Sequence, residues 1–155
     1  MSEHEHGSGS DHEHESVREH GHERVRIEQV IEQAYRALAF EPGQEPDWVN
    51  FQQTFAPRAV LALRVFPEDP EVRIMDLEGY AHEQMRNDLK HQGYSETPGE
   101  RKVDIVGDVA AVRQEFTMNF ADRSQRAVDL FCLARTQGDW LIVSVVSDVM
   151  RDGSS

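Results

Sequence analysis

The chain has 155 residues, with 16 Lys or Arg against 29 Asp or Glu, for a formal net charge of −13. That length suits one domain burying roughly 70% of its unfolded surface without disulfide or metal support. The single cysteine, Cys132, permits no internal disulfide and fits a cytoplasmic setting. The acidic balance repels phosphate backbones and anionic lipid heads, and no apolar run approaches the about 18 residues of a membrane span, so neither nucleic acid nor a membrane is expected as a partner.

Residues 1–24 hold six of the eight histidines and, after Met1, only Val17 as an aliphatic side chain larger than Ala. They read as a disordered His/Glu-rich leader that cannot join a core. From Val25 onward Ile27, Val30, Ile31, Ala34, Tyr35 and Leu38 recur at three- and four-residue steps, which predicts an amphipathic helix. Pro42, Gly43 and Pro46 stop it. Asp47 then stands at an N-cap position before Trp48, Phe51 and Phe55, predicting a short second helix closed by Pro57. Residues 59–66 are β-rich and predict a first strand. After the turn at Pro67 and Pro70, residues 72–75 make a brief extended piece, and Asp76 caps a third helix carrying Leu77, Tyr80, Ala81, Met85 and Leu89 up to Gly93.

Beyond Gly93 the period changes from 3.6 to 2. Turn signals at Gly107-Asp108, residues 121–124 and Gly138-Asp139 divide the remainder into strands over 94–106, 109–120, 126–137 and 140–150. With no helix between them these strands form an antiparallel meander, and their length requires the sheet to curl. The class is α+β: one domain over 25–150, followed by a flexible tail over 151–155.

Two passages carry a resemblance. Residues 54–60, Thr-Phe-Ala-Pro-Arg-Ala-Val, resemble the helix-to-strand passage "LFADDAV" of the nuclear transport factor 2-like (SnoaL-like) superfamily, and residues 138–148 resemble its closing strand "GxWxIxxxxxD". The resemblance implies a cone-shaped half-barrel in which three N-terminal helices pack on a strongly curved antiparallel sheet. It also implies an apolar cavity for a small molecule and a homodimer formed through the outer sheet face. Members of the superfamily include binders, enzymes and protein-interaction modules, so the individual side chains must separate these classes.

The expected cavity lining comprises large side chains on inward periods: Tyr35, Trp48, Phe51, Phe55, Met85, Gln114, Phe116, Met118, Phe131 and Trp140. Gln114 is the one polar member of the row Val112, Phe116, Met118, Phe120, and reads either as a ligand-orienting amide or as a glutamine bonded to a loop carbonyl. Asp148, Tyr35 and His82 are the candidate proton handlers should the cavity be catalytic, as in a cofactor-independent hydrolase, isomerase or dehydratase. Some superfamily isomerases pair a tyrosine of the first helix with a base on the first strand, but Leu61-Ala62-Leu63-Arg64 offers no carboxylate. Arg113, Glu115 and Asp148 imitate the spacing of limonene epoxide hydrolase, with Glu in place of Asp and with Arg113 on the polar face. Asp129 is an acid in an apolar strand and is expected to meet Arg126 or Arg135. In the leader, His4, His6, His12, His14, His20 and His22 form H-x-H units suited to adventitious Zn or Ni binding. No cofactor is expected.

Overall fold

Four inward side chains, Ile27, Ile31, Tyr35 and Leu38, set one face of the first helix, α1 (21–38), and all four are buried. The structure is a computed structural model that describes residues 21–151. Residues 21–24, which composition assigns to the leader, are already helical. They are held there by Glu23, which accepts from the Trp140 indole and pairs with Arg26 and Arg135.

Asp47 caps α2 (Trp48–Gln53) by accepting from the Asn50 amide at 3.1 Å, as its position predicts. The next strand, β1 (Phe55–Leu63), begins earlier than the expected 59 because Pro57 does not break it. The register slips between Phe55 and Val60, where a residue lacking an amide donor is tolerated. After β2 (Arg73–Met75), Asp76 caps α3 (Leu77–Gln84). The third helix does not run on to Gly93. It stops at Gln84, left-handed Asn87 and Asp88 reverse the chain, and a single turn, α4 (Leu89–Gln92), follows. Gly93 is obligatory there: its φ is +75°, and a Cβ would lie 2.9 Å from Pro42 Cδ.

The meander comprises β3 (Ser95–Val106), β4 (Val109–Asn119), β5 (Ser124–Thr136) and β6 (Asp139–Val149), close to the expected bounds. Two of its turns are two-residue hairpins. Gly107 takes positive φ in the first, and Gln137 and Gly138 both do in the second. The sheet has six strands in the order β2-β1-β6-β5-β4-β3. It is antiparallel except at one place, where β1 pairs with β6 in parallel. Parallel neighbours cannot be joined by a hairpin, and β2, α3, α4 and the strands β3 to β5 separate β1 from β6 in the chain. The sheet is curved and unclosed, and the helices pack on it as the α+β expectation requires.

The inward face of β4 and β5 alternates cleanly: Val112, Phe116, Met118, Ala127, Phe131 and Leu133 are buried while their neighbours face out. Among the described residues, no helix is long and apolar enough to cross a membrane.

Candidate functional site

The space between α1, α2, α3 and the concave sheet is not fully filled. A cavity of about 50 Å³ remains, with apolar walls from Phe51, Phe55, Leu61, Phe116, Phe131 and Val145. That is roughly the space of four ordered waters or of a very small organic molecule. Arg64 and Asp148 stand among the lining residues on the side of the carboxyl end of β6.

The polar groups of the cavity come from five elements. Tyr35 on α1 donates its hydroxyl to Asp129 Oδ2 on β5 at 2.6 Å. Ser147, inward on β6 and opposite Asp129 in the ladder, also bonds that carboxylate. Glu96 on β3 is half-buried and accepts from the Tyr94 hydroxyl at 2.5 Å. Tyr80 and Gln84, one helical turn apart on α3, complete the set, and both are buried.

Desolvation governs the electrostatics. Burial raises the Glu96 carboxyl well above the usual carboxylate range, and the charge of Asp129 raises it further. Burial also raises Asp129, opposed by the bonds from Tyr35 and Ser147 that favour its ionised form. Tyr35 is pushed far up by burial and then by the neighbouring Asp129 charge, so its phenol stays protonated and donates. At the rim, partial burial acts to raise Asp148, but the Arg64 guanidinium at 3.1 Å and the Val149 amide outweigh it and hold the carboxyl low.

Of the expected lining residues, Tyr35, Phe51, Phe55, Phe116, Met118 and Phe131 border the cavity. Trp48, Met85, Gln114 and Trp140 do not. Trp48 packs edge-on against Phe51 and Tyr80 behind the wall, and Met85 is half-buried past the end of α3. Trp140 is buried at the other end of the cone beneath Arg135, with its indole on Glu23.

Gln114 follows its ordinary reading. The β3 register slips between Pro98 and Arg101, and the Gln114 amide donates to the Gly99 and Glu100 carbonyls that this slip leaves free. Its own oxygen accepts from Arg101, which reaches on to Glu28 and Glu32 of α1.

The proton-handler candidates divide. Tyr35 is inside, Asp148 is exposed at the rim, and His82 is exposed on α3 and does not border the cavity. Arg113 and Glu115 pair with each other at 3.2 Å on the face opposite the cavity, so the epoxide-hydrolase spacing assembles no site. Asp129 meets neither Arg126, which pairs with Glu115, nor Arg135, which pairs with Asp108 and Glu23. The inward phase of β5 gives it Tyr35 instead. His22 is exposed on α1, His4, His6, His12, His14 and His20 lie outside the described residues, and no cluster of potential metal ligands occurs among the described residues.

Four polar residues of the site, Gln84, Glu96, Tyr80 and Ser147, are not among the candidates the sequence offers. Gln84 falls on the 77, 80, 84 spacing of α3 and was legible from it. Glu96 shares its strand phase with Tyr94, a weaker signal on an edge strand of mostly exposed residues. The hydroxyl of Tyr80 carried no signal beyond its ring.

Helices closing over a curved, open sheet around a partly polar hollow define a member of the nuclear transport factor 2-like superfamily. Residues 22–146 match the model of the "Putative lumazine-binding" family, and the chain belongs to that family. Solved structures agree on the fold. A nuclear transport factor 2-like protein with a cystatin-like fold from Novosphingobium aromaticivorans is 18% identical, with TM-score 0.64 and 90% of each chain covered. A nuclear transport factor 2-like protein from Silicibacter pomeroyi is 17% identical at TM-score 0.62, covering 84% of this chain and 98% of that one. A "Putative calcium/calmodulin dependent protein kinase II association domain" from Xanthomonas campestris is 21% identical at TM-score 0.58, covering 81% and 86%. No curated protein matches the sequence.

Proposed function

We propose that the protein binds a small, largely apolar molecule in the cavity between the helices and the sheet. One observation carries this reading: the aromatic and aliphatic walls border free space beside two polar side chains, Tyr80 and Gln84, that have no hydrogen-bond partner among the described residues. A core evolved only for stability leaves few such groups unsatisfied. The family description points the same way, toward ligand binding. The protein would work in the cytoplasm and need no cofactor, since apolar walls and a few directed polar groups suffice to hold a small molecule. Native mass spectrometry of protein purified without added ligand tests this: a retained small-molecule mass is expected, and its absence together with full resistance of the cavity to small apolar probes contradicts the reading.

A second reading, cofactor-independent catalysis as hydrolase, isomerase or dehydratase, draws on the 2.6 Å contact between Tyr35 and Asp129 within the cavity. Here Asp129 would accept a proton and the half-buried Glu96 acid would return one, in place of Asp148 with Tyr35 or His82. Association is a separate matter. Leu130 and Val146, cross-strand partners on the outer sheet face, are both about half exposed, and Val60 lies on the adjoining strand. A homodimer burying this face is the expected state, in line with the association domain among the structural relatives. Sedimentation of wild type and of Leu130→Asp checks it: the variant should be monomeric.

A further inference from the structure

The acceptors at the polar end of the cavity have no cation among them. Facing Asp129 and Glu96 are Tyr35 from α1, Tyr80 and Gln84 from α3, Tyr94 at the start of β3, and Ser147 from β6. The nearby basic groups are engaged elsewhere. Arg64 holds Asp148 and, at 2.6 Å, the Asp69 carbonyl, while Arg101 holds Gln114, Glu28 and Glu32. Tyr35 and Ser147 serve Asp129, and Tyr94 serves Glu96. Tyr80 and Gln84 are only 4% and 2% exposed, border the cavity, and have no hydrogen-bond partner among the described residues. Both side chains border the hollow beside two carboxyls, where Tyr80 Oη and Gln84 Oε1 can accept from a ligand that supplies donors.

We propose that the cavity takes a small organic cation, a primary ammonium on a compact apolar body, whose N–H groups are shared among Asp129, Glu96, the Gln84 carbonyl oxygen and the Tyr80 hydroxyl oxygen. The proposal rests on the ligand-binding reading and narrows it to one charge class. An ammonium has three donors and no acceptor, and each group around it can accept. The walls suit it as well. Aromatic faces attract a desolvated cation, and Tyr80, Phe51 and Phe116 supply such faces along the lining. A carboxylate ligand would meet like charge, and a neutral alcohol, with one donor, would leave the buried acceptors short.

A proton signature follows. Burial and mutual repulsion leave the carboxyl pair holding a proton in the empty cavity near neutral pH, with Glu96 the raised member. A bound ammonium takes over the role of that proton, so binding expels it to solvent.

The test uses three small probes of matched skeleton, isobutylamine, isobutanol and isobutyrate, titrated into the full chain near pH 7. Cavity amide shifts of Tyr35, Ala127 and Val145 report occupancy, and calorimetry in two buffers of different ionisation heat counts released protons. Isobutylamine should bind about tenfold more tightly than isobutanol, isobutyrate should not bind, and a fraction of a proton should be released. Glu96→Gln keeps size and removes a half-buried acid. It should abolish the proton release and reduce the preference for the amine, and Asp129→Asn should reduce that preference further. Binding of isobutanol as tight as that of the amine overturns the cation assignment while leaving the cavity a ligand site. An amine preference that survives in Glu96→Gln with proton release intact overturns it too. Failure of every probe to move the cavity amides overturns both readings.

Discussion

Two buried polar clusters lie between the helices and the sheet, and they differ in one respect. At the β3 irregularity, Gln114 is fully buried and spends its amide on backbone carbonyls and on Arg101. On α3, across from the sheet, Tyr80 and Gln84 are almost as buried and their side chains have no hydrogen-bond partner among the described residues. The first cluster is closed and holds the fold together, whereas the second is open and gives the cavity its chemistry. The difference teaches that burial of a polar residue is not itself a mark of function. What matters is whether its hydrogen bonds are already made.

The contrast can be broken by substitution. Gln114→Leu should be the most damaging change, about 2–4 kcal/mol by urea denaturation, because it orphans two carbonyls and the Nε–H of Arg101. Ligand selectivity in whatever protein remains folded should not change. Tyr35→Phe removes a hydrogen bond to a charged acceptor and should cost about 1.5–3 kcal/mol by the same measurement.

The third prediction concerns pH. Glu96 has its folded pKa raised above the unfolded value, so its favourable contribution is present below the unfolded pKa and is lost as pH rises through the folded one. Wild-type stability should therefore fall over that window, and Glu96→Gln should flatten the fall and raise the denaturation midpoint on its alkaline side. The smallest effect is expected at the rim: Asp148→Asn breaks a half-exposed pair with Arg64 and should cost under about 1 kcal/mol.

Much of the architecture was legible because it rests on local signals. Asp47 and Asp76 announce their helices, and Gly107 and Gly138 announce the hairpins, since cap and turn chemistry acts within a few residues. The parallel pairing of β1 with β6 was not legible, because it joins segments about 80 residues apart and no local feature encodes it. The early end of the third helix is hidden for a related reason: apolar residues at Met85 and Leu89 continue its stripe, but the helix stops at Gln84, the left-handed Asn87-Asp88 pair reverses the chain, and no glycine marks the break.

The site divided along the same line. Helical period placed Tyr35, and strand phase placed Phe116, Met118 and Phe131, on the inner face, and the structure puts them around one hollow. Phase also placed Gln114 and Trp140 on that face, without distinguishing the packed end of the cone from the hollow end. Charge pairing alone suggests an arginine partner for Asp129, but Arg126 points outward from β5 and Arg135 lies further along the strand over Trp140 and Glu23, while the phenol of Tyr35 descends from α1 directly onto the carboxylate.

The central claim is that Tyr80 and Gln84 are left unmatched for a ligand. The double variant Tyr80→Phe/Gln84→Met tests it directly, since it keeps shape and removes both polar functions. Measured together, urea stability and isobutylamine binding should separate, with stability equal to or above wild type and binding lost. A double variant that is several kcal/mol less stable, or that binds the amine as wild type does, would contradict the account.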